Sequence, residues 1–137
     1  FTTLKYKAYN YRNFIKEVIH MIFNDKKVDV FSNRFGGNGD VIIEHYIDEK
    51  LLNDSVVMYA KITLKPGCSL GYHQHNGNSE TIVVLQGTAQ YNDNGTEIEL
   101  HSGAVMHCPN GEFHSIGNAA NAKKDLVLQA IIIKVNP

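Results

Sequence analysis

The chain has 137 residues, of which 43% are hydrophobic and 20% charged, and its formal net charge is −1. That length fits one domain with a core of its own. The near-balanced charge, without a basic stripe interleaved with aromatics, argues against nucleic acid or an anionic membrane as partner.

The opening Phe1-Thr-Thr-Leu-Lys-Tyr-Lys carries no apolar signal-peptide core, and no stretch reaches the length of a membrane span, so a cytoplasmic protein is expected. Residues 10–27 are predicted to form the one helix. Tyr11, Phe14, Ile15, Val18, Ile19 and Ile22 recur at helical spacing on one face, with Asn10 as N-cap and Lys26 and Lys27 at the C-terminal end of the dipole. Gly36-Gly37-Asn38-Gly39 reads as a turn cluster; no Lys-Ser/Thr follows it, so it is not a phosphate loop.

From there the chain reads as strand and turn. Val56 to Leu64 alternates, with Val56, Met58, Ala60, Ile62 and Leu64 on one face, and Pro66-Gly67 ends it. Short runs follow at 71–75, 80–85, 88–91, 96–100, 104–108, 113–116 and 126–135, several separated by Asn-Gly turns. Many short strands with regular turns predict an all-β sandwich or barrel. The last run is apolar on both faces apart from Gln129, which predicts a central or doubly covered strand. Cys68 and Cys108 are too few for a disulfide framework and are expected to be small, semi-buried side chains.

Chemistry concentrates in two glycine-bracketed clusters, Gly67 to Gly87 and Gly103 to Asn118. His73 and His75 stand two apart, so a strand would aim both imidazoles at one face. After the Asn76-Gly77-Asn78-Ser79 turn, Glu80 shares a face with Ile82 and Val84. A carboxylate there is costly unless a cation or donor accompanies it. His114 follows the Pro109-Asn110-Gly111 turn, on a strand expected to face the first pair. His73, His75, Glu80 and His114 therefore form a candidate ligand set for one divalent transition metal: Mn, Fe, Ni, Co or Zn. The competing possibilities are four unrelated polar residues, or a metal held without chemistry. Of the other histidines, His20, His45 and His101 are expected at the surface, and His107 either lines the pocket or points outward.

The complete pattern is Gly, five residues, His-x-His, four residues, Glu, six residues, Gly, followed after fifteen residues by Gly, five residues, Pro-x-Gly, two residues, His, three residues, Asn. It closely resembles the two motifs of the cupin superfamily, and the chain is similar to small single-domain, type-2 bacterial cupins. Ala104 departs from the pattern, where many members carry a turn-stabilising Asp. The resemblance implies an all-β, single-domain cupin-type β-barrel (a double-stranded β-helix, jelly-roll-like) spanning 1–137, with a helix-and-strand extension at 1–40 and a core barrel at 56–135. It implies metal ligation by His73, His75, Glu80 and His114, with Asn118 as a structural cap. It also implies a homodimer.

Two functions follow from the resemblance. The first is a metal-dependent enzyme acting on a small polar metabolite, with oxygenase or oxalate-decarboxylase-like chemistry, or isomerase or lyase chemistry. The second is a non-catalytic binding or sensing module for a small, sugar-like ligand. A storage protein is disfavoured, because the chain is short and not amide-rich. No general acid or base is assigned: His107, Tyr59, Tyr91 and Glu112 are the only candidates, and none is placed by its sequence context.

Overall fold

The computed structural model describes residues 22–136. Residues 10–21 of the predicted helix lie outside them. Over 22–27 the helix expectation fails, and the chain is irregular. The reason is local. The Lys27 carbonyl already accepts the His45 N–H at 2.9 Å, so the two lysines lead into a strand instead of closing a helix.

Ten strands follow: β1 (Val28–Ser32), β2 (Asp40–His45), β3 (Val56–Leu64), β4 (Ser69–Gln74), β5 (Asn78–Gln86), β6 (Thr88–Asp93), β7 (Thr96–His101), β8 (Val105–Cys108), β9 (Phe113–Asn118) and β10 (Leu126–Lys134). They form a six-stranded sheet, β1-β2-β3-β10-β5-β8, and a four-stranded sheet, β4-β9-β6-β7. Every pairing is antiparallel. β10 lies between β3 and β5, as its two apolar faces require.

The inward positions of both sheets make one core. Ile62, Leu64, Ile82, Val84, Leu126 and Leu128 come from the larger sheet, and Leu70, Ala89, Tyr91 and Ile116 from the smaller. Each large side chain removed from water here contributes on the order of 1.5–3 kcal/mol. This two-layer β-sandwich is one of the two architectures, sandwich or barrel, expected from the strand pattern. Asn94 and Gly95, at φ 48 and 97, build the β6–β7 hairpin turn, which needs positive φ at both central residues. The turn at Ala104 closes without an aspartate, because backbone bonds join Ala104 N–H to His101 O and Gly103 N–H to Val84 O at 2.9 and 2.8 Å.

One irregularity decides where the imidazoles point. On β4, Leu70 pairs with Ile116 and His73 with His114, so β4 spends three residues where β9 spends two. This is a β-bulge at Gly71-Tyr72. A strict period of two from the inward-facing Leu70 would turn Tyr72 and Gln74 into the core. The bulge shifts the phase, sends His73 inward and leaves Tyr72 half exposed.

Candidate metal centre

The four predicted ligands converge. His73 comes from β4, His75 from just beyond it, Glu80 from β5 and His114 from β9. One nitrogen or oxygen from each lies within 4.8 Å of all the others. His75 is steadied by its backbone, which donates to Glu112 O at 3.0 Å and accepts from Gly111 N–H at 2.7 Å. His75, Glu80 and His114 are buried and His73 is partly exposed, so the cluster opens on the His73 side.

The Nε2 atoms of His75 and His114 each lie 3.1 Å from Glu80 Oε2, and 3.0 Å from one another. The Nδ1 atoms are engaged elsewhere. His73 Nδ1 meets the Gly71 carbonyl at 2.8 Å, His75 Nδ1 meets Asn78 Oδ1 at 2.6 Å, and His114 Nδ1 meets the Tyr91 hydroxyl at 3.0 Å. A carbonyl only accepts, so His73 Nδ1 carries the proton and the Nε2 of the neutral ring presents a lone pair; Asn78 Oδ1 likewise accepts from His75 Nδ1. Each ring is thus fixed in the orientation that turns Nε2 to a common centre, where a carboxylate also points. Lone pairs and a negative charge crowded together repel unless a cation or a proton lies between them.

Hydrogen bonds between the imidazoles and Glu80 take that role. Burial pushes the Glu80 carboxyl up, but hydrogen bonds from His114 and His75 outweigh it and hold the group at about 2. The Glu80 bond raises His75 above its ordinary value against the effect of burial. Burial lowers His73, against the Gly71 bond that raises it. Burial, with Glu80 nearby, pushes the Cys108 thiol up to about 11, and burial likewise raises Tyr91.

Sequence reasoning missed the residues that orient the ligands. Asn78 lay inside a predicted turn, and Gly71 contributes only a carbonyl. Tyr91 was legible only as a titratable candidate. Phe35 was also missed: its ring stacks on His73 with centroids 4.1 Å apart and planes 15° apart. Nothing in a Gly-rich turn signals such a contact.

The other candidates point away. His107 is exposed on β8 and meets Thr81 Oγ1 at 2.9 Å. The Tyr59 hydroxyl accepts from Gln129 at 3.1 Å, and the Glu112 side chain is exposed. His101 is exposed as expected, but the surface expectation for His45 is corrected. His45 is half-buried because its Nε2 meets Asp29 Oδ2 at 2.8 Å across β1 and β2. Cys68 and Cys108 are free thiols, the first partly and the second fully buried. Asn118 caps the strand end as implied, its Nδ2 donating to Leu64 O and Lys124 O at 3.0 and 2.9 Å.

Residues 60–129 match the family model of the cupin domain. The chain belongs to the cupin family. This cupin is 32% identical over 121 residues to an oxalate-binding protein of Thermotoga maritima, covering 87% of this chain and 98% of that one. It is 27% identical over 77 residues to a mannose-1-phosphate guanylyltransferase of Sinorhizobium fredii, of which it covers 15%. Among solved structures, one from Thermotoga maritima described as a predicted oxalate decarboxylase matches with TM-score 0.75 and 32% identity, over 81% of this chain and 95% of that one. An RmlC-like cupin from Shewanella frigidimarina matches with TM-score 0.64 at 15% identity, over 84% of this chain and 89% of that one; that likeness concerns the fold. Among the described residues, no helix of this cupin is long and apolar enough to cross a membrane.

Proposed function

We propose that His73, His75, Glu80 and His114 hold one divalent transition metal, and that this cupin binds a small dicarboxylate of the oxalate type there. The observation that carries the reading is that all three Nδ1 atoms are anchored while Nε2 atoms and a buried carboxylate converge. The neighbouring separations of 3.0 and 3.1 Å suit ligands at right angles around an ion with bonds of ~2.1 Å. Three imidazoles and a carboxylate favour Mn, Fe, Co, Ni or Zn. The name of the 32% identical Thermotoga relative supports oxalate as the ligand class.

When bound, the ion supplies a Lewis-acid position for a ligand oxygen. The chain does the rest. Asn78, Tyr91 and the Gly71 carbonyl hold the rings, and Glu80 offsets part of the ionic charge.

Turnover is the second reading, supported by the description of the Thermotoga structure. Decarboxylation replaces a carbon–carbon bond by a carbon–hydrogen bond, so it needs a proton donor at the ligand. Tyr91 is tied to His114, and the Cys108 thiol is buried. Ligand holding therefore has the better support. Oxygenase or isomerase chemistry, or a sugar-like ligand, would use the same ion.

The experiment is metal analysis of untagged protein beside a His73→Ala, His114→Ala double variant, followed by calorimetry with oxalate and with a neutral sugar, and by assays for formate and carbon dioxide. Metal in the wild type alone, with oxalate binding, supports the proposal. Equal metal in both proteins overturns the site, and steady formate release moves the protein to the enzyme reading.

We also propose that residues 1–137 form a single cupin domain and that it pairs as a homodimer. Among the described residues β1 is a sheet edge, and its Val28 and Val30 are 51% and 56% exposed; an uncovered apolar edge favours strand or face pairing. Light scattering that returns a clean monomer at micromolar concentration removes the dimer. A cytoplasmic setting is consistent with the free thiols and is tested by fractionation.

A further inference from the structure

The segment between β1 and β2 is built in an unusual way. Asn33 and Phe35 both adopt left-handed backbone, at φ 52 and 54. For a ring as bulky as Phe35 this is sterically unfavourable, and it persists only where the surroundings impose it. They do. Gly37 lies so close to β4 that a Cβ there would stand 2.2 Å from Ser69 O, and a Cβ at Gly71 would stand 2.0 Å from Phe35 O. Ser69 Oγ accepts the Asn38 N–H at 3.0 Å, Asn38 O accepts the Ser69 N–H at 2.8 Å, and Asn33 Oδ1 accepts the Gly39 N–H at 3.0 Å.

The outcome of that strain is the position of two side chains. The half-exposed Phe35 ring stacks on His73, the ligand at the open side of the cluster. The Arg34 guanidinium lies between two aromatic rings, with Cζ 4.1 Å from the Phe31 centroid and 4.9 Å from that of Phe35. Among the described residues none of the ion pairs includes Arg34. A cation is thus held over ring faces, with no hydrogen-bond or ion-pair partner among the described residues, one aromatic ring away from an imidazole of the cluster.

We infer that Arg34 is a specificity-determining residue that recognises the charge of the ligand, and that Phe35 is the positioning residue that holds it at the entrance. This rests on the metal-dependent dicarboxylate reading above. A divalent cation and the Glu80 carboxylate leave one net positive charge, which a dianion exceeds by one negative charge. A guanidinium at the rim supplies the balance and offers paired donors to a carboxylate. His45 and Asp29, across the inner edge of β1 and β2, satisfy one another, and Lys27 pairs with Asp29 at 3.4 Å. Those groups have ion-pair partners, whereas Arg34 has none among the described residues.

The test uses the full chain loaded with Co2+, titrated with oxalate and with the monoanion oxamate, and followed by calorimetry and by the visible Co2+ spectrum. Arg34→Gln is expected to weaken oxalate by about tenfold or more, to shrink the preference for oxalate over oxamate, and to leave Co2+ affinity unchanged. Arg34→Lys, which keeps the charge, is expected to retain most of the binding. Phe35→Ala is expected to weaken oxalate by a smaller factor through loss of the stack. Oxalate affinity within about twofold of wild type in Arg34→Gln overturns the inference. Unchanged affinity in Phe35→Ala overturns the positioning role. A wild type that takes up no Co2+ overturns the metal reading itself, and that result is separable because Co2+ uptake is measured before any oxalate is added.

Discussion

His73 faces His114 across the β4–β9 ladder, three residues after Leu70 faces Ile116 two residues further along the partner strand. The extra residue is what turns the imidazole inward, and it depends on Gly71. Any side chain at position 71 would meet the Phe35 carbonyl, a backbone atom that cannot swing aside. Gly71→Ala should therefore lose ~1–3 kcal/mol of stability, read as a lower midpoint in urea unfolding, and should weaken metal binding. Gly77→Ala is the comparison. It meets nothing within 4 Å and costs only its backbone preference at φ 79, on the order of 1–2 kcal/mol, with the His73 imidazole of β4 left in place. Equal metal affinity in wild type and Gly71→Ala would show that the bulge does not set the site.

Tyr91 and Asn78 should matter to the metal without touching it. Tyr91→Phe removes the partner of His114 Nδ1 and keeps the ring, and Asn78→Ala removes the partner of His75 Nδ1. Each should weaken metal binding by ~10–100-fold, as loss of an orienting partner does elsewhere. Calorimetric titration with Zn2+ checks this. Affinities within twofold of wild type would mean that packing alone orients the rings.

The metal-free protein should show a stability maximum in mildly acidic solution. Glu80 is depressed to about 2 from an ordinary 4.5. Its contribution is therefore present above 4.5 and is lost as pH falls toward 2. His75 is raised above its ordinary 6.5. Its contribution is full below 6.5 and is lost as pH rises through the folded value. His73, lowered by burial, works against this below its ordinary 6.5, where the unfolded chain binds the proton more readily, so melting temperatures of chelator-treated protein should fall below 4.5 as Glu80 is protonated and again as the His75 contribution is lost above 6.5. Added metal should help most at neutral pH and least in acid, because binding requires His75 to release its proton. A metal-free melting temperature that rises steadily from pH 6 to 8 would contradict the His75–Glu80 pairing.

Asn118 fastens the end of β9 to two backbone carbonyls, those of Leu64 and Lys124, from a position only 5% exposed. Asn118→Ala leaves both without this donor in a dry setting. It should cost ~1–3 kcal/mol, measured by chemical unfolding. The site itself is remote enough that metal affinity should change little.

The fold was legible because most of the chain alternates with a period of two, and that alternation is imposed by burial on one face of a sheet. β3 matches its expected bounds residue for residue, and β10 occupies the central position implied by its two apolar faces. β2 went unassigned. Val41 and Ile43 are buried on either side of the half-buried Ile42, so no polar alternation marks the strand, and the segment is short and follows a glycine-rich turn that dominates its local signal. Helical spacing around Ile22 ran on into Lys26 and Lys27, where cross-strand bonds to β2 take precedence over local periodicity.

By itself the sequence determined the identity and spacing of the candidate ligands, His73, His75, Glu80 and His114, because two motifs bracketed by turn residues leave the intervening side chains few directions in which to point. Only the tertiary structure decided how those ligands are held and what stands beside them. The Gly71 bulge, the Asn78 and Tyr91 partners of the imidazoles, and the Arg34–Phe35 pair over His73 all arise from contacts between segments distant along the chain. Such contacts follow from register and close backbone approach, which sheet packing fixes and which leave no periodic trace in the order of residues.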